Sequence, residues 1–128
     1  MSIEAEDIRE ILGLLADYSA TADQGRSGEL AALFVEDGAM LVFGREFSGR
    51  DAIARFMDRA VRGKHISAVP KIDLDGDEAT VRSDYVFFRG SDSALFSAGF
   101  YLDELVRTAE AGWRFVRREI VIELNPPD

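Results

Sequence analysis

The chain has 128 residues, 47% hydrophobic and 30% charged, the length and balance of one soluble globular domain with a core of its own. Its 24 acidic and 15 basic residues leave a formal charge of -9, which repels nucleic acid and anionic membrane surfaces. With no cysteine and one histidine, disulfides, thiolate metal sites and cysteine nucleophiles are excluded, and proton transfer near neutral pH falls to His65 or to a shifted carboxylate.

The N-terminus is acidic through Glu4, Glu6 and Asp7, where a leader is basic, and no apolar run reaches membrane-spanning length. A cytoplasmic location is the expectation. The first helix is predicted from about Glu4 to Ala22, with Ile8, Ile11, Leu12, Leu15, Tyr18 and Ala22 forming an apolar stripe toward the core. At helical spacing Asp23 lies near the direction of Leu12, at the margin of that stripe, and is expected to look inward. Gly25 and Gly28 break the helix, Ser27 can cap a short second helix through Val35, and Glu36-Asp37-Gly38 reads as a turn. Ala39 to Phe43 reads as a strand, with Phe47 on a short second one. Gly49-Arg50-Asp51 opens a third helix whose apolar face is Ile53, Phe56, Met57 and Ala60, ending at Gly63.

From His65 onward the period changes to two. A strand region with Val69, Ile72 and Leu74 runs to the turn Asp75-Gly76-Asp77. In the next strand Ala79, Val81, Ser83, Tyr85 and Phe87 alternate with Thr80, Arg82, Asp84, Val86 and Phe88. Gly90-Ser91-Asp92 leads into Ala94 to Arg107, a turn ends at Gly112, and a last strand runs from Trp113 to Leu124 before Pro126-Pro127. Repeats and linkers are absent, so residues 1–128 are expected to form a single domain. The plan is α+β, with helices laid on a bent antiparallel sheet.

The residues Ile11 to Tyr18 leading to Asp23, Leu33 to Gly38, Gly49 to Ile53, Lys64 to Ser67, Gly76 to Ala79, Gly99 to Leu105 and Gly112 to Phe115 occur in a telling order. In that order they resemble the nuclear transport factor 2-like superfamily, and within it the SnoaL-like group that includes scytalone dehydratase and a hexachlorocyclohexane dehydrochlorinase. The resemblance implies a cone-shaped fold, with N-terminal helices on a strongly curved mixed or antiparallel sheet that encloses a pocket. In the dehydratase and dehydrochlorinase branches an aspartate on the first helix orients a histidine that removes a substrate proton. Asp23 and His65 match those positions, and the chemistry is sound: a carboxylate fixes the imidazole tautomer and stabilises the imidazolium.

Each residue also has a plainer reading. His65 can be a half-exposed strand residue, Asp23 a helix-end turn residue bonding its own backbone, and Tyr18 a core aromatic. On the last strand, strict alternation sets Arg118 in a row with Val116, Ile120 and Ile122, while Arg117 and Glu119 look solvated. Arg118 can stabilise developing negative charge, as the resemblance implies, or belong to a structural ion pair. Tyr85 and Tyr101 are candidate donors to a substrate oxygen.

The chain departs from the family in two ways. It has one histidine where scytalone dehydratase uses two. It has Val69 where many members carry asparagine four residues after the histidine, which points to a more apolar ligand. A single histidine with scattered carboxylates offers no metal cluster, and no phosphate-binding glycine pattern is present. Neither metal nor cofactor is expected. The leading expectation is a lyase-like or isomerase-like enzyme acting on a hydrophobic cyclic or polyketide-like molecule, with His65 as base. The alternatives are a cyclase or ketosteroid-isomerase-like enzyme with Asp23 or Asp84 as base, and a noncatalytic binding or assembly module. Apolar residues on both faces of Tyr85 to Phe88 suggest a homodimer or homotrimer.

Overall fold

The computed structural model describes residues 3–125, apart from the side chain of Ile3, so the predicted stop at Pro126-Pro127 lies outside the described residues. In chain order the elements are α1 (Ile3–Gln24), α2 (Ser27–Ala31), β1 (Phe34–Val42), β2 (Arg45–Ser48), α3 (Arg50–Arg59), β3 (Gly63–Ser67), β4 (Lys71–Asp75), β5 (Glu78–Arg89), β6 (Leu95–Thr108) and β7 (Gly112–Leu124). The strands form one curved, unclosed sheet in the order β2-β1-β7-β6-β5-β3, with β4 also on β5. The pair β1 and β7 is parallel and every other pair antiparallel. The α+β class and the curved sheet are as expected, and the parallel β1–β7 pair makes the sheet the mixed form of the two that the resemblance implies.

Strand β5 is the clearest case of pattern becoming structure. Ala79, Val81, Ser83, Tyr85 and Phe87 are all buried, and Thr80, Arg82 and Asp84 between them are exposed, the inside-outside alternation of a strand with one face on a core. The core gathers Ile11, Leu14 and Tyr18 from α1 against Phe34, Trp113 and Phe115, with the Phe34 and Phe115 rings 5.0 Å apart at their centres. One end of α1 is tied down by charge. Asp7 accepts hydrogen bonds from the Trp113 indole at 3.0 Å and from Arg107 at 2.9 Å, and Glu10 accepts the Trp113 backbone N–H at 2.8 Å. The other end stops at Gly25, whose φ of 69° is the left-handed conformation glycine adopts most cheaply past a helix end.

Three local expectations are corrected. The buried row of α1 is Asp7, Ile11, Leu14, Tyr18 and Ala22, whereas Ile8 and Leu12 are exposed. The helix carries apolar residues over a wide arc, and packing selects one row of it. Next, α2 ends at Ala31 with no side-chain cap, so Ser27 does not cap it and the helix does not reach Val35. Phe34 instead starts β1 opposite Phe115, and Glu36-Asp37-Gly38 bulge out of that strand, where the register jumps between Phe34 and Ala39. Last, Val69 lies in the loop between β3 and β4 and is 92% exposed. Its apolar character therefore says nothing about the ligand.

Candidate functional site

Strand β3 lies antiparallel to the far half of β5, with His65 opposite Phe87. Gly63 makes that approach possible, because a Cβ there would collide with the Phe88 carbonyl oxygen. α1 runs past the outer side of β3 and delivers Asp23 from its last turn. The imidazole Nδ1 is 2.7 Å from Asp23 Oδ1, and the same oxygen accepts the His65 backbone N–H at 3.0 Å. Lys64 Nζ stands 3.3 Å from Oδ2. A carboxylate only accepts, so the proton sits on Nδ1 and the lone pair on Nε2. The ring packs on Phe87 with centres 4.3 Å apart. Burial pushes His65 below its ordinary value of 6.5, against the raising effect of the Asp23 hydrogen bond and charge, so the imidazole is neutral at neutral pH.

His65 is on the wall of an open cavity of about 120 Å³ on the concave side of the sheet. Tyr18, Tyr85 and Tyr101 all line it, so both strand tyrosines reach the cavity where the sequence leaves the choice open. The Tyr85 and Tyr101 rings stack with centres 4.7 Å apart, and Tyr85 donates to Ser97 Oγ at 3.3 Å. Burial pushes the Tyr18 hydroxyl up to about 12 and that of Tyr101 well above its ordinary range. Both stay protonated donors at neutral pH. Asp23 itself does not line this cavity. It faces an outer groove shared with Leu12, Ser19 and Ile66, so the predicted inward-looking acid looks toward β3 rather than into the pocket.

Arg118 is buried behind the tyrosines and is not part of the cavity lining. Its Nε and Nη2 donate to Asp103 at 2.8 and 3.2 Å, a bidentate pair with both side chains almost wholly enclosed. The guanidinium carbon lies 3.6 Å from the Tyr101 ring centre and 4.2 Å from that of Tyr18. The ion-pair reading of Arg118 is therefore the one the structure shows. The predicted row is also broken: Val116 is bulged out and exposed, because Glu104 faces Arg117 while Leu105 faces Phe115. Asp84 is exposed beside Arg82 and away from the cavity, which removes it as a base. Among the described residues no three acidic or histidine side chains gather closely enough to hold a metal ion.

The SnoaL-like domain family matches residues 4–119 of the chain. The chain belongs to that family. Among solved structures, this SnoaL-like chain is 34% identical to a nuclear transport factor 2-like protein with a cystatin-like fold from Novosphingobium aromaticivorans, with a TM-score of 0.82 over 90% of this chain and 80% of that one. It is 30% identical to a function-unknown protein from Mycobacterium tuberculosis, solved with one aspartate changed to asparagine, with a TM-score of 0.85 over 91% of this chain and 76% of that one. A candidate scytalone dehydratase from Novosphingobium aromaticivorans is 28% identical, with a TM-score of 0.84 over 96% and 88% of the two chains. No curated protein matches significantly.

Sequence reasoning missed Asp103, Lys64 and Ser97 at this SnoaL-like site. For Asp103 a signal existed: it is an acid on the inward row of β6, between Tyr101 and Leu105, directly across from Arg118.

Proposed function

We propose that the chain is a small enzyme in which His65, held by Asp23, removes a proton from an apolar cyclic or polyketide-like molecule, leading to loss of water or to isomerisation. The observation that carries this reading is the 2.7 Å contact between Asp23 Oδ1 and His65 Nδ1 in a histidine that also lines the cavity. The contact directs the Nε2 lone pair to an incoming C–H bond, and the carboxylate stabilises the imidazolium that forms. A neutral resting imidazole suits a base working at neutral pH. Tyr18 and Tyr101 supply protonated hydroxyls for a developing oxyanion, with the Arg118–Asp103 ion pair packed behind their rings and holding them in place. The reading uses no metal or cofactor.

The carboxylate-base alternative loses support because Asp23 is engaged by His65 and lines the outer groove, and Asp84 is outside. The noncatalytic alternative loses support because the cone is not filled by Phe87 and Phe88: a cavity remains, and Phe88 is exposed. Solvent deuterium uptake at the carbon next to the carbonyl of β-hydroxy cyclic ketones, followed by NMR together with any gain of conjugated-enone absorbance, tests the proposal. Exchange catalysed by the native chain should fall about a hundredfold or more in His65→Gln. Undiminished exchange in that variant, or none in the native chain, would sink it.

A further inference from the structure

The cavity wall is apolar and phenolic apart from His65, Ser97 and Arg62. Of the side chains that line it, Arg62 alone carries a permanent charge. It stands at the rim beside the exposed Val61, and its backbone is held by the Gly90 N–H, which donates to the Arg62 carbonyl at 2.9 Å. The guanidinium lies against Gly25, where any Cβ would collide with it. That seat is at the C-terminal end of α1, where the helix dipole favours a cation. Arg26, Arg89, Arg107 and Arg118 each have an acidic partner. The Arg62 side chain has no hydrogen bond or ion pair among the described residues.

We infer that the substrate is an amphipathic carboxylic acid, with its apolar ring in the cavity beside His65 and its carboxylate on Arg62 at the rim. The ring follows from size, since an apolar cavity on the order of 150 Å³ takes one benzene and this one measures about 120 Å³. The carboxylate follows from a guanidinium fork at the cavity rim that no acidic side chain among the described residues engages, since planar carboxylates match that fork best. The net charge of -9 does not forbid an anion here. Charges farther off than about 8–10 Å are largely screened at physiological salt, whereas a contact pair is not. The inference rests on the proposed use of this cavity as the substrate site, and it adds which molecules enter and how they are oriented.

Phenylacetate, phenylpropionate and phenylbutyrate, each against its neutral amide, are suitable probes. Affinities are read by calorimetry at physiological ionic strength, and entry of the ring is read from the NMR signals of the only imidazole in the chain. At least one acid should bind about fivefold more tightly than its amide, Arg62→Gln should abolish the preference, and Arg62→Lys should keep part of it. Equal affinities, no binding of any acid, or a preference that survives Arg62→Gln would overturn the inference. The two proposals fail separately. A lost acid preference with His65 signals still shifted by both probes removes only the carboxylate site. Deuterium exchange that survives His65→Gln removes only the base.

Discussion

Asp23 Oδ1 serves both the ring and the backbone N–H of His65, so one oxygen sets the position of the residue and its tautomer together. In Asp23→Asn the amide can present its NH2 to Nδ1 and reverse the tautomer, and turnover should fall by about 10²–10⁴. The acid limb of the rate profile should lie below 6.5 in the native protein, because burial lowers His65 and the base is lost only as pH falls through that lowered value. Removing the Asp23 charge takes away what opposes burial, so the limb should move lower still, as an NMR titration of the imidazole would show. The sign for stability follows from the same shift. The unfolded chain protonates His65 first, so its contribution is complete above 6.5 and is lost as pH falls from there toward the folded value; urea midpoints should lose this slope in His65→Gln. Arg118 is a different matter. Arg118→Met leaves Asp103 enclosed without a partner and should destabilise by about 3–5 kcal/mol, with most of the loss recovered when Asp103→Leu is added; a loss under about 1 kcal/mol in urea unfolding would contradict the pairing. His65 and Asp23 were legible in the sequence through scarcity and resemblance. The partner of Arg118 was not, because finding it requires the register of β6 on β7, and the bulge at Val116 shifts that register by one.

At the scale of elements, the site depends on the gap between α1 and β3. The Asp7, Glu10, Trp113 and Arg107 contacts hold the start of α1, and Gly63 lets β3 approach β5 closely enough to face Asp23 at the other end. Gly63→Ala should therefore displace β3, destabilise by about 1–3 kcal/mol, and weaken or lose the downfield Nδ1–H resonance of His65 even where the protein still folds. An unchanged resonance and unchanged stability would mean that the strand gives way without effect on the pair. The long strands were readable because period two over Ala79 to Phe87 admits only one inward face. The stretch from Ala32 to Gly38 was not, since turn-forming residues inside a bulged strand look the same as turn-forming residues between elements. Nor was the face of α1, where Leu12 and Leu14 are equally apolar and only the position of the sheet decides which one is buried.

For the whole molecule, the curved sheet has two faces with different tasks. The concave face holds the cavity and the convex face meets solvent. That outer face carries Phe88, Phe100 and Leu102 between Arg82, Glu104, Arg117 and Glu119, and Leu102 is 40% exposed. Arginines and acids alternate across it, so a second copy turned through a two-fold axis can set its acids against these arginines while the apolar side chains meet. We propose that the chain forms a homodimer through this face. Its salt dependence has a definite sign. Each copy carries a formal charge of -9, and two such bodies repel over the Debye length, which shrinks from about 30 Å at 0.01 M to about 8 Å at 0.15 M salt. Added salt screens this net repulsion more than it weakens contact pairs desolvated within the interface. Sedimentation velocity at micromolar concentration should therefore show the dimer fraction rising with salt over that range. Leu102→Glu, which adds a charge and removes apolar contact, should shift the population to monomer without moving the imidazole signals of His65. A monomer under every condition, or a dimer indifferent to Leu102→Glu, would rule this face out.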